Sequence, residues 1–346
     1  MEQRLKFIDC LRGMSMLFVV FHHIIVMGMR DTIGGAYMSP VNDFIITIQM
    51  PLFFFVSGFV SARLNRDWSV QSIRMTLMKK VNGQLIPTII MFLICMLVYN
   101  LNIADWVFVP FKCGYWFTWV SFQIFAIWFV VSYLLRHFNV NVASIGILLL
   151  SALLLFASLR VPLTNKVVGF LSLNYTFQYF IYFIVGVVFK YNYENICRWI
   201  DNKLFISGLF LFAITPWFYP VGNQYANAII SIMRVICCFA IFRQLSIFSE
   251  SNLAANTLSY IGKHTLEIYF LHYFLLFKLD FLALWLNNFS SDYCFRGHSC
   301  VLLPEVLTIG LLAIIISFTC IGIRKTIDVF PIMSTLMFGP QNKQKR

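Results

Sequence analysis

Asp9, Arg12 and His23 stand in one N-terminal stretch, D-C-L-R-G-M-S-M-L-F-V-V-F-H-H, and carry the clearest chemistry in the chain. Ten residues separate Arg12 from His23. In an α-helix that eleven-residue step turns about 1100°, three whole turns plus about 20°, and rises about 16 Å. Arg12 and His23 therefore share a face, and Asp9, three residues before Arg12, lies about 40° from the His23 direction. An acid, a guanidinium and an imidazole aligned along an otherwise apolar helix is chemistry for proton transfer beside an anionic group. His22 points about 100° away from His23 and reads as a structural, hydrogen-bonded residue.

The helix that must position these residues belongs to a very apolar chain. Its 346 residues are 60% hydrophobic and 12% charged, with mean hydropathy +0.79. A water-soluble core cannot absorb that much apolar sequence, so the expectation is an all-α polytopic membrane protein. Ten apolar runs approach the length needed to cross a bilayer: 13–30, 43–62, 84–101, 115–135, 142–159, 173–189, 204–220, 226–245, 265–285 and 303–323. Most of the 26 Lys and Arg fall in the loops on the N-terminal side, which predicts both termini in the cytoplasm. The net charge of +12 then reflects topology and anionic lipid, and nucleic acid is not expected as a partner.

The first run contains two histidines and is followed by no small-residue cleavage site, so it reads as a retained span and not a signal peptide. No linker or large polar domain interrupts the runs, which predicts a single membrane domain over 1–346 with a basic cytoplasmic tail at 324–346. Cys294 and Cys300 share an expected outer loop and are candidates for a disulfide. No C-x-x-C or H-E-x-x-H pattern occurs, and a metal site is not expected.

Further polar residues interrupt other spans. In Q-M-P-L-F-F-F-V-S-G-F-V-S-A-R-L, Pro51 loosens the helix ladder and Ser57-Gly58 offers a small surface for close helix approach. Arg234 and His272 fall within about one turn of the same depth, not far from His23. A shared polar cavity would explain them all, and a structural pair, such as Arg234 with Glu267, is the alternative. Glu267 and His272 are about 140° apart around their helix and should face different partners. The basic segment with Arg63, Arg66, Arg74, Lys79 and Lys80 suits either phosphate oxygens or anionic lipid. Trp116, in Y-W-F-T-W, sits at an expected outer boundary, as an aromatic belt or as a platform for a sugar ring.

Three stretches in order, F-I-D-C-L-R-G-M-S-M-L-F-V-V-F-H-H, M-P-L-F-F-F-V-S-G-F and L-S-Y-I-G-K-H-T-L-E-I-Y-F-L-H, resemble the acyltransferase 3 family of integral membrane O-acyltransferases. The resemblance implies a catalytic histidine at His23, a supporting basic residue at Arg12, and acyl-CoA as a donor from the cytoplasmic side. It also implies an R-x-x-R element after an early span, which Arg63 and Arg66 fit in spacing. The implied activity is transfer of an acyl group, an acetyl group above all, from acyl-CoA to a hydroxyl of a surface polysaccharide or lipid-linked glycan precursor. The place is the plasma or inner membrane, and no bound cofactor is implied.

His23 then acts as general base, or as a transient acyl carrier, while Arg12 orients donor phosphate or fixes the imidazole. A different class of function, a secondary transporter for a sugar or organic acid, would line a path with Arg234, Glu267, His272 and His23. It predicts repeat symmetry and paired broken helices, which the sequence does not display. A non-enzymatic component of polysaccharide assembly would gain nothing from the Arg12 and His23 alignment.

Overall fold

The computed structural model describes residues 5–29, 39–62, 69–135, 140–158, 160, 165–218, 224–245, 252–287, 294–295, 298–299 and 302–340. They are helical apart from connections and one small antiparallel ladder, in which Cys294 faces Ser299 and Phe295 faces His298. Arg63, Arg66 and the Cys294/Cys300 disulfide expectation lie outside what is described.

Six helices are long and apolar enough to cross a bilayer: Lys6–Gly28, Pro40–Ser61, Val70–Val98, Trp116–Leu134, Tyr225–Gln244 and Leu303–Ile327. Thr265–Leu275 with Asp280–Leu286 makes a seventh if the pair, bent by 94°, is one span. Hydropathy alone predicts ten. The runs at 142–159 and 204–220 correspond to the apolar helices Val140–Ser158, of 19 residues, and Lys203–Phe218, of 16 residues. The run at 173–189 is helical over Leu173–Tyr191, but Asn174, Gln178 and its tyrosines dilute its apolar character. Among the described residues the protein is thus an all-α, multi-pass membrane protein with six or seven candidate spans.

The basic stretch read as a loop up to Lys80 is helical from Val70, where the Ser69 hydroxyl caps the Ser72 amide. It runs through a π turn, Val81–Leu85, into Ile86–Val98. Pro87 lacks the N–H that would reach back one turn, and the widened turn just ahead of it accommodates the gap.

Packing divides the chain into two compact units, Met1–Val56 with Glu194–Ile323, and Ser57–Tyr193 with Arg324–Arg346. In the first unit, the helix Lys6–His23 is buried along Leu11, Met16 and Val20 and packs chiefly on the helix Leu253–Lys263. Their backbones nearly touch: a Cβ added at Gly13 would lie 2.0 Å from the Leu258 carbonyl oxygen, and one at Gly262 1.9 Å from that of Asp9. Reciprocal glycines allow this crossing because hydrocarbon offers no hydrophobic drive and close van der Waals contact must replace it. Side chains fix its register, with Lys6 Nζ donating to Asn256 Oδ1 at 2.8 Å and Cys10 Sγ to the Ala255 carbonyl at 3.3 Å. The Asn252 side chain caps the second helix through the Ala255 amide at 2.9 Å. Ser15 Oγ donates to the Gln49 carbonyl at 2.7 Å and ties the first helix to Pro40–Ser61.

In the second unit the same device recurs at Gly58, where a Cβ would meet the Phe183 carbonyl oxygen at 1.9 Å. The small Ser57-Gly58 patch is therefore a helix contact. Phe183 also receives the edges of Phe125 and Trp128, at centroid distances of 5.5 and 6.1 Å.

Candidate active site

Two irregular helix ends build the site in the first unit. The α-helix that starts at Lys6 ends at His23 and continues as a π turn, Ile24–Gly28. The helix Thr265–Leu271 gives way to a 3₁₀ turn, His272–Leu275, and then to the bend before Asp280. The two ends lock together where the Leu279 amide donates to the Gly28 carbonyl at 2.6 Å. A Cβ on Gly28 would meet Leu279 Cδ1 at 3.1 Å and the Phe277 carbonyl oxygen at 3.3 Å, so the bend docks on a residue without a side chain. Departures from α geometry cost regular hydrogen bonds and recur at functional positions, because they re-aim the side chains beside them.

Here they aim three rings at one another. His272 Nε2 lies 3.1 Å from His23 Nδ1, the Tyr273 hydroxyl lies 3.3 Å from His23 Nε2, and His272 Nδ1 lies 2.9 Å from the Ile268 carbonyl oxygen. The ring of His23 is 5.0 Å from that of His272 and 4.9 Å from that of Tyr273. All three are enclosed, with relative exposures of 9% for His23, 0% for His272 and 5% for Tyr273. Burial in this manner demands partners for every polar atom, and each nitrogen of both imidazoles has one.

The depth argument from sequence brings His272 close to His23, and the structure joins them directly. Tyr273 escaped sequence reasoning. Its one signal was adjacency to His272, and an α-helix would point neighbours about 100° apart; in the 3₁₀ turn both rings nonetheless meet His23, one at each of its nitrogens. His22 faces elsewhere, with Nδ1 2.9 Å from Asn42 Oδ1. Asn42 in turn donates its amide to Ser39 Oγ at 2.9 Å, and Ser39 donates to the buried Glu305 carboxylate.

Arg12 and Asp9 stand at the other end of the first helix. Arg12 is half-buried, and Nη2 donates to Thr265 Oγ1 at 3.4 Å. With about 16 Å of helical rise between them, Arg12 does not fix the imidazole; His272 and Tyr273 do. Asp9 is buried in the glycine crossing, about 21 Å of rise from His23. Glu267 Oε1 lies 3.5 Å from His264 Nδ1. Arg234 is buried and donates to the Ala213 carbonyl at 2.9 Å and to Thr47 Oγ1, with its guanidinium 4.8 Å from the centre of the Phe44 ring. Arg234 and Glu267 thus have separate partners, and neither touches the histidine pair.

Ser57 and Trp116 belong to the second unit. The Ser57 carbonyl accepts from Ser61 Oγ at 2.6 Å. Trp116 lies 4.5 Å from the ring of Tyr175 and stacks on Tyr179 at 5.3 Å, so its face is already taken by aromatic neighbours. That unit also holds a cavity of about 530 Å³ lined by apolar side chains including Ile90, Ile94, Phe330, Met333 and Met337. Such a lining can hold an acyl or lipid chain but offers no group for acid or base work.

A neutral imidazole whose far nitrogen is held by a second imidazole, while its near nitrogen meets a hydroxyl, can take a proton from an incoming hydroxyl. No curated protein and no solved structure matches the chain. The family model for the acyltransferase domain of acyltransferase 3 proteins does match, over residues 5–322. That stretch includes the glycine crossing, both histidines and Tyr273, and the chain belongs to this family as a multi-pass membrane acyltransferase.

Proposed function

We propose that this enzyme is an O-acyltransferase that moves an acyl group, most simply acetyl, from acyl-CoA to a hydroxyl of a cell-surface polysaccharide or a lipid-linked glycan precursor. It works in the plasma or inner membrane with both termini cytoplasmic, the side on which most of its basic residues are expected. The observation that carries the reading is the enclosed His23, whose Nε2 meets a hydroxyl while Nδ1 is occupied by His272.

In the proposed reaction His23 Nε2 takes the proton of the acceptor hydroxyl as that oxygen attacks the thioester carbonyl. The C–S bond then breaks, the proton passes from His23 to the leaving sulfur, and the ester and free CoA thiol depart. Arg12 serves the donor and not the base. Arg12 lies about 16 Å of helical rise from His23 on the same helix, a separation of the kind the long pantetheine arm places between phosphate and thioester. Arg63 and Arg66 supplement Arg12 in drawing phosphate to the cytoplasmic face. The rival transporter reading expected paired broken helices; the described residues hold a single bent pair, and family membership identifies an enzyme.

The test is a proteoliposome assay with labelled acetyl-CoA and a panel of glycan acceptors. Wild-type protein should place label in an ester on the glycan and release CoA thiol, and His23→Ala protein of equal fold should not. Ester formation by the His23→Ala protein at the wild-type rate sinks the reading.

A further inference from the structure

The hydrogen-bond chain through the two imidazoles has a direction, and its far end sets it. A carbonyl oxygen only accepts, so the Ile268 carbonyl, 2.9 Å from His272 Nδ1, requires the proton of neutral His272 to sit on Nδ1. Nε2 of His272 is then a lone pair. At 3.1 Å it can only accept, which requires the proton of neutral His23 to sit on Nδ1. The remaining lone pair of the assembly is on His23 Nε2, where the Tyr273 hydroxyl donates at 3.3 Å. Were His272 protonated, both of its nitrogens would donate, His23 Nδ1 would have to accept, and Nε2 would carry a hydrogen and cease to be a base.

We propose that His272 is the positioning residue of this acyltransferase: through its own hydrogen bond to the Ile268 carbonyl it holds His23 in the Nδ1–H tautomer and keeps the basic lone pair on Nε2, in the seat that the Tyr273 hydroxyl marks for the acceptor hydroxyl. The inference rests on His23 being the base. During transfer the proton enters at Nε2, and the imidazolium keeps its Nδ1–H on the His272 lone pair, so the charge is stabilised without moving a second proton. A neutral imidazole here does the work that an orienting carboxylate does in other base pairs, without placing a net charge in the bilayer.

The Val19 carbonyl, one turn back on the first helix, also hydrogen-bonds the His23 ring and, as an acceptor, shares with His272 the work of holding a ring N–H. The remaining groups around the pair do not compete for this role. His22 is 5.1 Å from His23 ring to ring and is held by Asn42 of the neighbouring helix. Tyr269 and Tyr273 lie 6.2 and 4.0 Å from the His272 ring. Arg12, Arg234 and Glu267 have contacts elsewhere, with Thr265, with Ala213 and Thr47, and with His264.

The test compares His272→Ala, His272→Gln and His23→Ala in full-length protein in proteoliposomes, with kcat and kcat/KM for acetyl-CoA measured per folded molecule across pH. His272→Ala should lower kcat by about 100-fold, the upper range for loss of an orienting partner. His272→Gln should recover most of that, because its amide oxygen can accept from His23 Nδ1–H. The Gln variant should also show an acid limb displaced from the wild-type one, since the group whose protonation reverses the tautomer is gone. A merely structural role would lower folded yield in both variants and leave the pH profile of folded enzyme unchanged, and that result overturns the proposal. So does a Gln variant as slow as the Ala variant. Activity that survives His23→Ala removes the base itself, whereas an inactive His23→Ala beside a fully active His272→Ala removes this inference alone.

Discussion

His23 in the first unit and Lys112 in the second are both buried, hydrogen-bonded basic side chains, and they use burial in opposite ways. Lys112 Nζ donates to the carbonyls of Val107, at 2.9 Å, and Gly169, at 3.2 Å. The rings of Trp119 and Phe170 flank it at 5.6 and 5.5 Å. Carbonyls accept and never donate, so Lys112 has one role available, that of a clamp. It holds a corner where Lys112 and Cys113 adopt left-handed backbone, with φ of 46° and 50°, a conformation that costs an ordinary residue about 1–2 kcal/mol. Beside the Val19 carbonyl, the partners of His23 are an imidazole and a phenol, each able to give or take a hydrogen. A buried base becomes chemistry when its neighbours can change state with it, and scaffolding when they cannot.

Four measurements break or sharpen this contrast. The largest effect is expected from His23→Ala, which should cost about 1,000-fold in acyl transfer per folded molecule, within the usual range for a general base, whatever stability is lost by orphaning the groups around it. Transfer per folded molecule at the wild-type rate would place His23 in the same class as Lys112.

Next comes the crossing that aligns the first helix. Gly262→Val puts a side chain 1.9 Å from the Asp9 carbonyl and should destabilise the protein by about 3 kcal/mol or more, read as an earlier unfolding transition in detergent. Gly310→Ala is the control. Nothing lies within 4 Å of its added Cβ, and the helix should gain up to about 1 kcal/mol.

Smaller is Arg12→Ala, which should raise the KM for acetyl-CoA about tenfold, the equivalent of one charge-assisted hydrogen bond, with kcat retained. A fall in kcat at constant KM would instead tie Arg12 to the imidazole.

The smallest effect on acyl transfer belongs to Lys112→Met, which should leave transfer per folded molecule as it was while costing about 1–2 kcal/mol of stability through two orphaned carbonyls. Burial draws the Lys112 ammonium down from 10.5 to about 8. Between those values the unfolded chain keeps a proton that the folded chain has lost, so wild-type stability should rise with pH across that window. Lys112→Met should flatten the rise, as followed by unfolding at pH 8 and pH 10.

Much of the architecture was legible because helix periodicity and hydropathy are local properties. The spans around Arg12, Pro51, Arg234 and Arg324 coincide with apolar runs in the sequence. Span number was less legible. Whether Leu173–Tyr191 or Lys203–Phe218 crosses rests on a few polar residues and one turn of length, which local hydropathy does not decide. The segment before Lys80 looked like a loop for its charge, yet its residues are good helix formers and Ser69 caps them.

At the site, residue type and spacing determined that His23 and Arg12 share a face of one apolar helix, and helix rise placed His272 at a similar depth. What only the tertiary structure decided is which groups touch. The π turn after His23, the 3₁₀ turn at His272 and the docking of Leu279 on Gly28 are each a choice among backbone geometries of nearly equal local energy. Long-range packing makes that choice, and it alone brings His272 and Tyr273 to the two nitrogens of His23 and sends Asp9, Arg234 and Glu267 to other partners.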